Sequence, residues 1–193
     1  MVRKARVTDI KSILNIYNKV KLDRGRLGDV LYESEIQKNG FLLGLDTSDT
    51  FIKEVNEAYM FIVDEDGDKI VGYLIADHSE EQKYYDDEYK TWFDPELKNF
   101  YYQNPKGMTL ASIAVDPQYG RKRIAAGLLS CLEDRLIKES YQYLFSIVTL
   151  APVTNCPSIT WHSKNGFKRL AMGKPRRLFD LDNYSGILLC KHL

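Results

Sequence analysis

Residues 109–136 constrain this chain more than any other stretch. Residues 109–115, Thr-Leu-Ala-Ser-Ile-Ala-Val, form an apolar run of strand length. Asp116-Pro117 ends the run, because proline cannot donate to a central ladder. Ile124, Leu128, Leu132 and Leu136 then recur at helical spacing, and Leu129 widens the stripe. The pattern predicts a buried strand, a tight turn and an amphipathic helix that starts near Gly120 or Arg121, where glycine is an acceptable N-cap.

Arg121, Lys122 and Arg123 fill the first turn of that helix. A helix N-terminus carries partial positive charge and favours anions by roughly 0.3–1 kcal/mol per charge. Three cations there make sense if an anion joins them in the working protein, since first-turn N–H groups and the dipole form a ready phosphate site. The alternative is a solvated basic turn without a ligand.

A strand ending in Val-x-Pro-x-Tyr, a turn, and then Ile-x-x-x-Leu-Leu resembles the acyl-CoA signature of the GNAT superfamily of N-acetyltransferases. That family writes its turn as Arg/Gln-Gly-x-Gly-x-Gly/Ala. Aligned on Pro117 and Leu128-Leu129, this chain places Gly120, Arg121, Arg123 and Ala125 there, and only Ala125 conforms. Glycine lets backbone approach phosphate closely. If residues 121–125 are already helical they need no positive φ, and their side chains can point away from the phosphates. A second stretch, Asn155-x-x-Ser158-x-x-x-His162-x-x-x-Gly166-Phe167, is similar to the family's other signature, with His162 where the family usually has tyrosine. Asn155 is a good N-cap, Pro157 is tolerated in a first turn, and Gly166 suits the residue that stops a helix.

The resemblance implies an α/β (α+β) fold: a single GNAT-like domain over 1–193, with a mixed, twisted six- or seven-stranded sheet and about four helices. It implies acetyl-CoA or CoA as co-substrate and no metal. Backbone groups of Ile113, Ala114 and Val115 would bind the pantetheine arm. N–H groups of Arg121, Lys122, Arg123, Ile124, Ala125 and Ala126 would bind the pyrophosphate, and Asn155 would contact or shape the cofactor site. The implied reaction is attack of an amine on the acetyl thioester, with CoA leaving as a thiolate. A free thiol has a pKa near 8.5, so a proton donor helps it leave. The motif tyrosine is that donor in many relatives. His162 suits the same role as an imidazolium; the alternative is a partly buried structural histidine. The acceptor is an amine of a small molecule or peptide. A second reading is a non-catalytic acyl-CoA sensor on the same fold, motivated by the missing glycines and by His162. A nucleotide binder of another kind is disfavoured, since neither Gly-x-x-x-x-Gly-Lys-Ser/Thr nor Gly-x-Gly-x-x-Gly occurs.

Composition narrows the field. Among 193 residues, 27 Lys and Arg balance 27 Asp and Glu, so nothing calls for a nucleic-acid partner. An apolar fraction of 44% supports a core. Cys131, Cys156 and Cys190 lie far apart without metal-ligand or disulfide spacing, which fits a reducing, cytoplasmic setting. No apolar run reaches membrane-spanning length, and the charged residues 1–6 do not read as a signal peptide.

The rest of the chain reads as follows. Residues 2–7 form a strand, and Thr8 caps a helix whose face is Ile10, Ile13, Leu14, Tyr17 and Val20. Further helices are expected near 30–38 and 48–58, the latter capped by Ser48 or Asp49. Residues 59–63 and 70–76 form a hairpin with Asp-Gly in its turn. Asp77 and His78 are candidate bases for the acceptor amine, though they are read as solvated loop residues in preference to that role. Residues 78–106 form an acidic, aromatic insertion, read as a packed excursion or a contact between two copies in preference to a lid over a cationic acceptor. Gly127 costs a helix about 1 kcal/mol against alanine, and close packing on the sheet would explain it.

Overall fold

A computed structural model describes residues 1–44, 47–78, 89–93, 98, 106–119 and 121–193. The chain divides into two compact units. The first comprises Met1–Leu22, Leu42–His78 and Leu110–Glu139; the second comprises Asp23–Phe41, Ser79–Thr109 and Ser140–Leu193.

In the first unit, β1 (Val2–Lys4) pairs antiparallel with β2 (Met60–Asp66), and β2 with β3 (Lys69–His78). The β2–β3 turn is Gly67-Asp68, with Gly67 at φ +61, a conformation glycine adopts at no steric cost. The last six residues of β5 (Gly107–Val115) lie beside β3. The apolar stripe of α1 (Ile10–Val20) buries Ile10, Ile13, Ile16 and Tyr17. These meet Phe51 and Val55 of α3 (Ser48–Glu57) and Phe61, Val63, Tyr73, Ile75 and Ala114 of the sheet. Tyr17 and Tyr73 each approach the Phe51 ring edge-on, a favoured aromatic geometry.

The cap of α1 differs from the sequence expectation. Its N-cap residue is Asp9, the last residue of a short 3-10 turn, rather than Thr8, and the Asp9 side chain bonds elsewhere. The Asp9 carboxylate accepts the Arg6 N–H at 2.8 Å and a two-pronged contact from the Arg3 guanidinium at 2.7 and 2.9 Å. At α3 the N-cap is Thr47, whose Oγ1 accepts the Thr50 N–H, rather than Ser48 or Asp49.

In the second unit, Gly107, Met108 and Thr109 of β5 pair in parallel with Tyr143, Leu144 and Phe145 of β6 (Tyr143–Ala151). The long β9 (Leu181–His192) runs antiparallel to both β6 and β7 (Lys168–Gly173). The short β8 (Arg176–Leu178) folds back on β9, and β4 (Tyr89–Trp92) pairs with β7. Phe145, Leu170, Ala171, Leu188 and Cys190 form a core cluster. The helices are α2 (Val30–Asn39), capped by Asp29, and α5 (Cys156–Lys164).

The fold is mixed α/β with five helices among the described residues, as expected in class. The strands beyond the expected six or seven are short: β4 arises inside the stretch read as an insertion, and β8 has three residues. Residues 79–88, 94–97 and 99–105 of that insertion, on which its lid and dimer readings mostly rest, lie outside the described residues. No helix among the described residues is long and apolar enough to cross a membrane.

Candidate active site

The strand–turn–helix stretch falls within the first unit from Leu110 onward. β5 ends at Val115, and α4 (Arg121–Lys138) begins at Arg121, where the sequence placed it. Leu128, Leu132 and Leu136 are fully buried, and Leu129 nearly so. Ala114, Val115 and Ala125 are buried, Ile113 and Ile124 partly so, while Arg123, Ala126 and Gly127 are exposed. Residues 121–125 are thus helical and need no positive φ. The first four N–H groups of a helix have no acceptor within it, so an anion placed before α4 meets oriented donors and the positive end of the dipole. The residues present fit a diphosphate on this ground, despite the absent glycines.

The close packing attributed to Gly127 belongs to another glycine. Among the described residues, a methyl at Gly127 would meet nothing within 4 Å, whereas one on Gly72 of β3 would lie 2.8 Å from Ile124 Cγ2 and 3.0 Å from the Ala114 carbonyl oxygen. Gly72 is what lets the start of α4 settle against β3 and β5.

Asp116 governs the turn between β5 and α4. Its N–H donates to the Val71 carbonyl, its carbonyl accepts the Tyr119 N–H, and its Oδ1 accepts the Gln118 N–H. Its Oδ2 receives Lys19 Nζ, from the last turn of α1, at 2.7 Å. Burial by itself would raise the Asp116 carboxyl, but Lys19 and the Gln118 N–H outweigh it and hold the group below the usual carboxylate range. The sequence reading took Asp116 only as the end of a strand. The partners stand 97 residues apart, and no local spacing could have revealed them.

In the second unit, α5 carries both Asn155 and His162. Asn155 is buried, and its Oδ1 caps the helix by accepting the Ser158 N–H at 3.3 Å. Its Nδ2 donates to the Phe41 carbonyl at 2.7 Å. Gly40, at φ +71, passes so close that a methyl there would lie 3.1 Å from Asn155 Oδ1. The amide therefore shapes the junction of α2 and α5 through both of its ends.

His162 is 3% exposed. Its ring meets Trp161 and Phe167 edge-on, each at 4.9 Å between centroids. Nδ1 lies 2.8 Å from the Ser158 carbonyl and 3.3 Å from Ser158 Oγ, and the buried Nε2 has no hydrogen-bond partner among the described residues. Burial drives the imidazole pKa down to about 4, against a smaller upward pull from the Ser158 carbonyl. The protonation state expected from sequence is thereby corrected: near neutral pH this is a neutral imidazole and not an imidazolium. A neutral ring with its proton on Nδ1 donates to the Ser158 carbonyl and leaves Nε2 an acceptor. With Nδ1 accepting from Ser158 Oγ, Nε2 carries a donor N–H.

Asp77 and His78 close β3, where the His78 N–H donates to Asp77 Oδ1 and the His78 ring meets Tyr59 edge-on. Cys156 is exposed, Cys131 half-buried and Cys190 buried, and all three are free thiols. Among the described residues, no three His, Cys, Asp or Glu side chains gather as a metal site would require.

Comparison with known proteins bears on this geometry. The sequence model of the Acetyltransferase (GNAT) family matches residues 29–167, most of the chain. No curated protein matches by sequence. The ribosomal-protein-S18-alanine N-acetyltransferase from Escherichia coli is similar in structure, at TM-score 0.64 and 16% identity, covering 100% of this chain and 92% of its own. The PaiA N-acetyltransferase from Thermoplasma acidophilum, solved in complex with coenzyme A, gives TM-score 0.63 at 15% identity, covering 100% and 98%. Naa20 from Chaetomium thermophilum, in complex with a bisubstrate analogue, gives 0.63 at 14%, covering 100% and 86%. With the family model spanning β5, the Asp116 turn, α4 and α5, the chain belongs to the acetyltransferase (GNAT) family.

Proposed function

We propose that this protein transfers the acetyl group of acetyl-CoA to an amine of a small molecule or peptide. The observation that carries the reading is the continuous unit of β5, a turn fixed by Asp116, and α4 helical from Arg121, inside the family match. In this reading the backbone of Ile113, Ala114 and Val115 receives the pantetheine arm. The N–H groups of residues 121–126 receive the pyrophosphate, and Asn155 shapes the site by capping α5. A C–N bond forms as the C–S bond breaks; the amine gives up a proton, and the departing thiolate takes one. The proton passes from the amine to the sulfur through solvent, and the neutral His162 ring would orient the sulfur by a hydrogen bond in the tautomer with Nε2–H without giving that proton up. Free thiols suit a reducing setting such as the cytoplasm. The structural neighbour named for an alanine of ribosomal protein S18 makes a protein or peptide α-amine one acceptor class to include.

Thiol release from acetyl-CoA with mixed amines tests the activity. Turnover supports an enzyme. Saturable acetyl-CoA binding without thiol release would instead establish the second reading, an acyl-CoA sensor, which Arg121 and Arg123 at two of the family's glycine positions favour. His162→Phe should lower turnover while leaving acetyl-CoA affinity intact. Unchanged turnover would make His162 a packing residue only.

A further inference from the structure

We infer that Lys19 is a positioning residue for the diphosphate end of the cofactor, acting through Asp116 rather than by touching the ligand. The inference rests on the acyl-CoA reading of α4 and goes beyond it. Asp116 is 6% exposed, and each of its polar groups is engaged: N–H to Val71, carbonyl to Tyr119, Oδ1 to Gln118, Oδ2 to Lys19. The bonds to Tyr119 and Gln118 are local to the turn and set its path, and the bond to Val71 ties it to β3. The fourth is the only one of them that brings in a charge, and it comes from a different helix.

The charge matters because of where the carboxylate sits. A buried anion at the root of the turn before α4 opposes an anionic ligand at the helix start, and low polarity strengthens the repulsion. Lys19 cancels it. The ammonium is itself well placed, since Lys19 lies in the last turn of α1, where the dipole favours a cation. Its side chain is one-third exposed while that of Asp116 is 8% exposed. Solvent therefore tempers the lysine more than the carboxylate. Removing the ammonium would leave the buried charge unpaired, which costs more than losing an exposed pair.

The test compares acetyl-CoA with acetyl-pantetheine, which lacks the nucleotide diphosphate, on the full chain. Lys19→Met should raise the Kd for acetyl-CoA on the order of tenfold, as one uncancelled charge would. The Kd for acetyl-pantetheine should change less than about twofold, kcat at saturating acetyl-CoA should hold, and added salt should shrink the acetyl-CoA effect. Lys19→Arg should behave as the parent. Lys19→Met combined with Asp116→Asn, which removes the carboxylate charge but keeps an acceptor for the Gln118 N–H, should recover most of the lost affinity. Equal weakening of both ligands, or of neither, would overturn the inference, as would failure of the double variant to recover. If the parent protein shows no preference for acetyl-CoA over acetyl-pantetheine, the acyl-CoA reading of α4 itself fails, an outcome separate from any behaviour of Lys19.

Discussion

Two residues show how far local chemistry carries. Asn155 is a strong N-cap by type, and it caps α5; its second bond, to Phe41, depends on a chain segment 114 residues away. His162 stands where the family motif has tyrosine, yet nothing local says that Trp161 and Phe167 close over its ring or that Nε2 goes without a partner. Burial also gives it a pH signature. Unfolded, the imidazole takes up its proton below about 6.5; folded, only near about 4. Between those values the unfolded chain binds more protons, so stability falls as pH falls, and the contribution levels off once both states are protonated. The total loss is on the order of 3 kcal/mol. Chemical denaturation of the parent protein and His162→Phe from pH 7 to pH 4 should show a flatter profile for the variant. Parallel profiles would mean that the ring is hydrated in solution.

At the scale of elements, periodicity located helices well because burying an apolar stripe is what keeps them folded. The expected span 30–38 is α2 to within a residue, and the stripe from Ile124 to Leu136 is the buried face of α4. Caps were less legible: Asp9 and Thr47 took positions assigned to their neighbours, within one or two residues of the expected boundary. Glycines were misleading in the same way. Gly127→Ala should stabilise the protein by up to about 1 kcal/mol, because the site is open and alanine favours a helix. Gly72→Ala should destabilise it by roughly 1–3 kcal/mol, because Ile124 and the Ala114 carbonyl must move. Thermal unfolding of the two variants measures both. A loss at Gly127 would show that α4 packs there after all, and no loss at Gly72 would show that α4 can shift without cost.

For the whole molecule, ligand binding and stability are linked, and the linkage gives a global test. Acetyl-CoA at about 100 times its Kd should add roughly 2.7 kcal/mol, or about 5–11 °C in Tm for a chain of this size. CoA should act similarly. Absence of any shift with acetyl-CoA, CoA or ADP would mean that the cations in the first turn of α4 do not serve a cofactor. The sequence by itself determined the fold class, the order of the main elements and the strand–turn–helix that carries the cofactor proposal. The fold class rests on the resemblance of two stretches to a family's motifs; the elements and the strand–turn–helix follow from hydrophobic period, proline and turn chemistry, all properties of neighbours along the chain. Only the tertiary structure decided that Lys19 reaches Asp116, that Gly72 and not Gly127 admits α4, that β4 rises from the presumed insertion, and that His162 is neutral. The first three are relations between distant residues and the last is a consequence of burial, fixed by close packing and by the cost of burying charge, and one-dimensional spacing does not encode them.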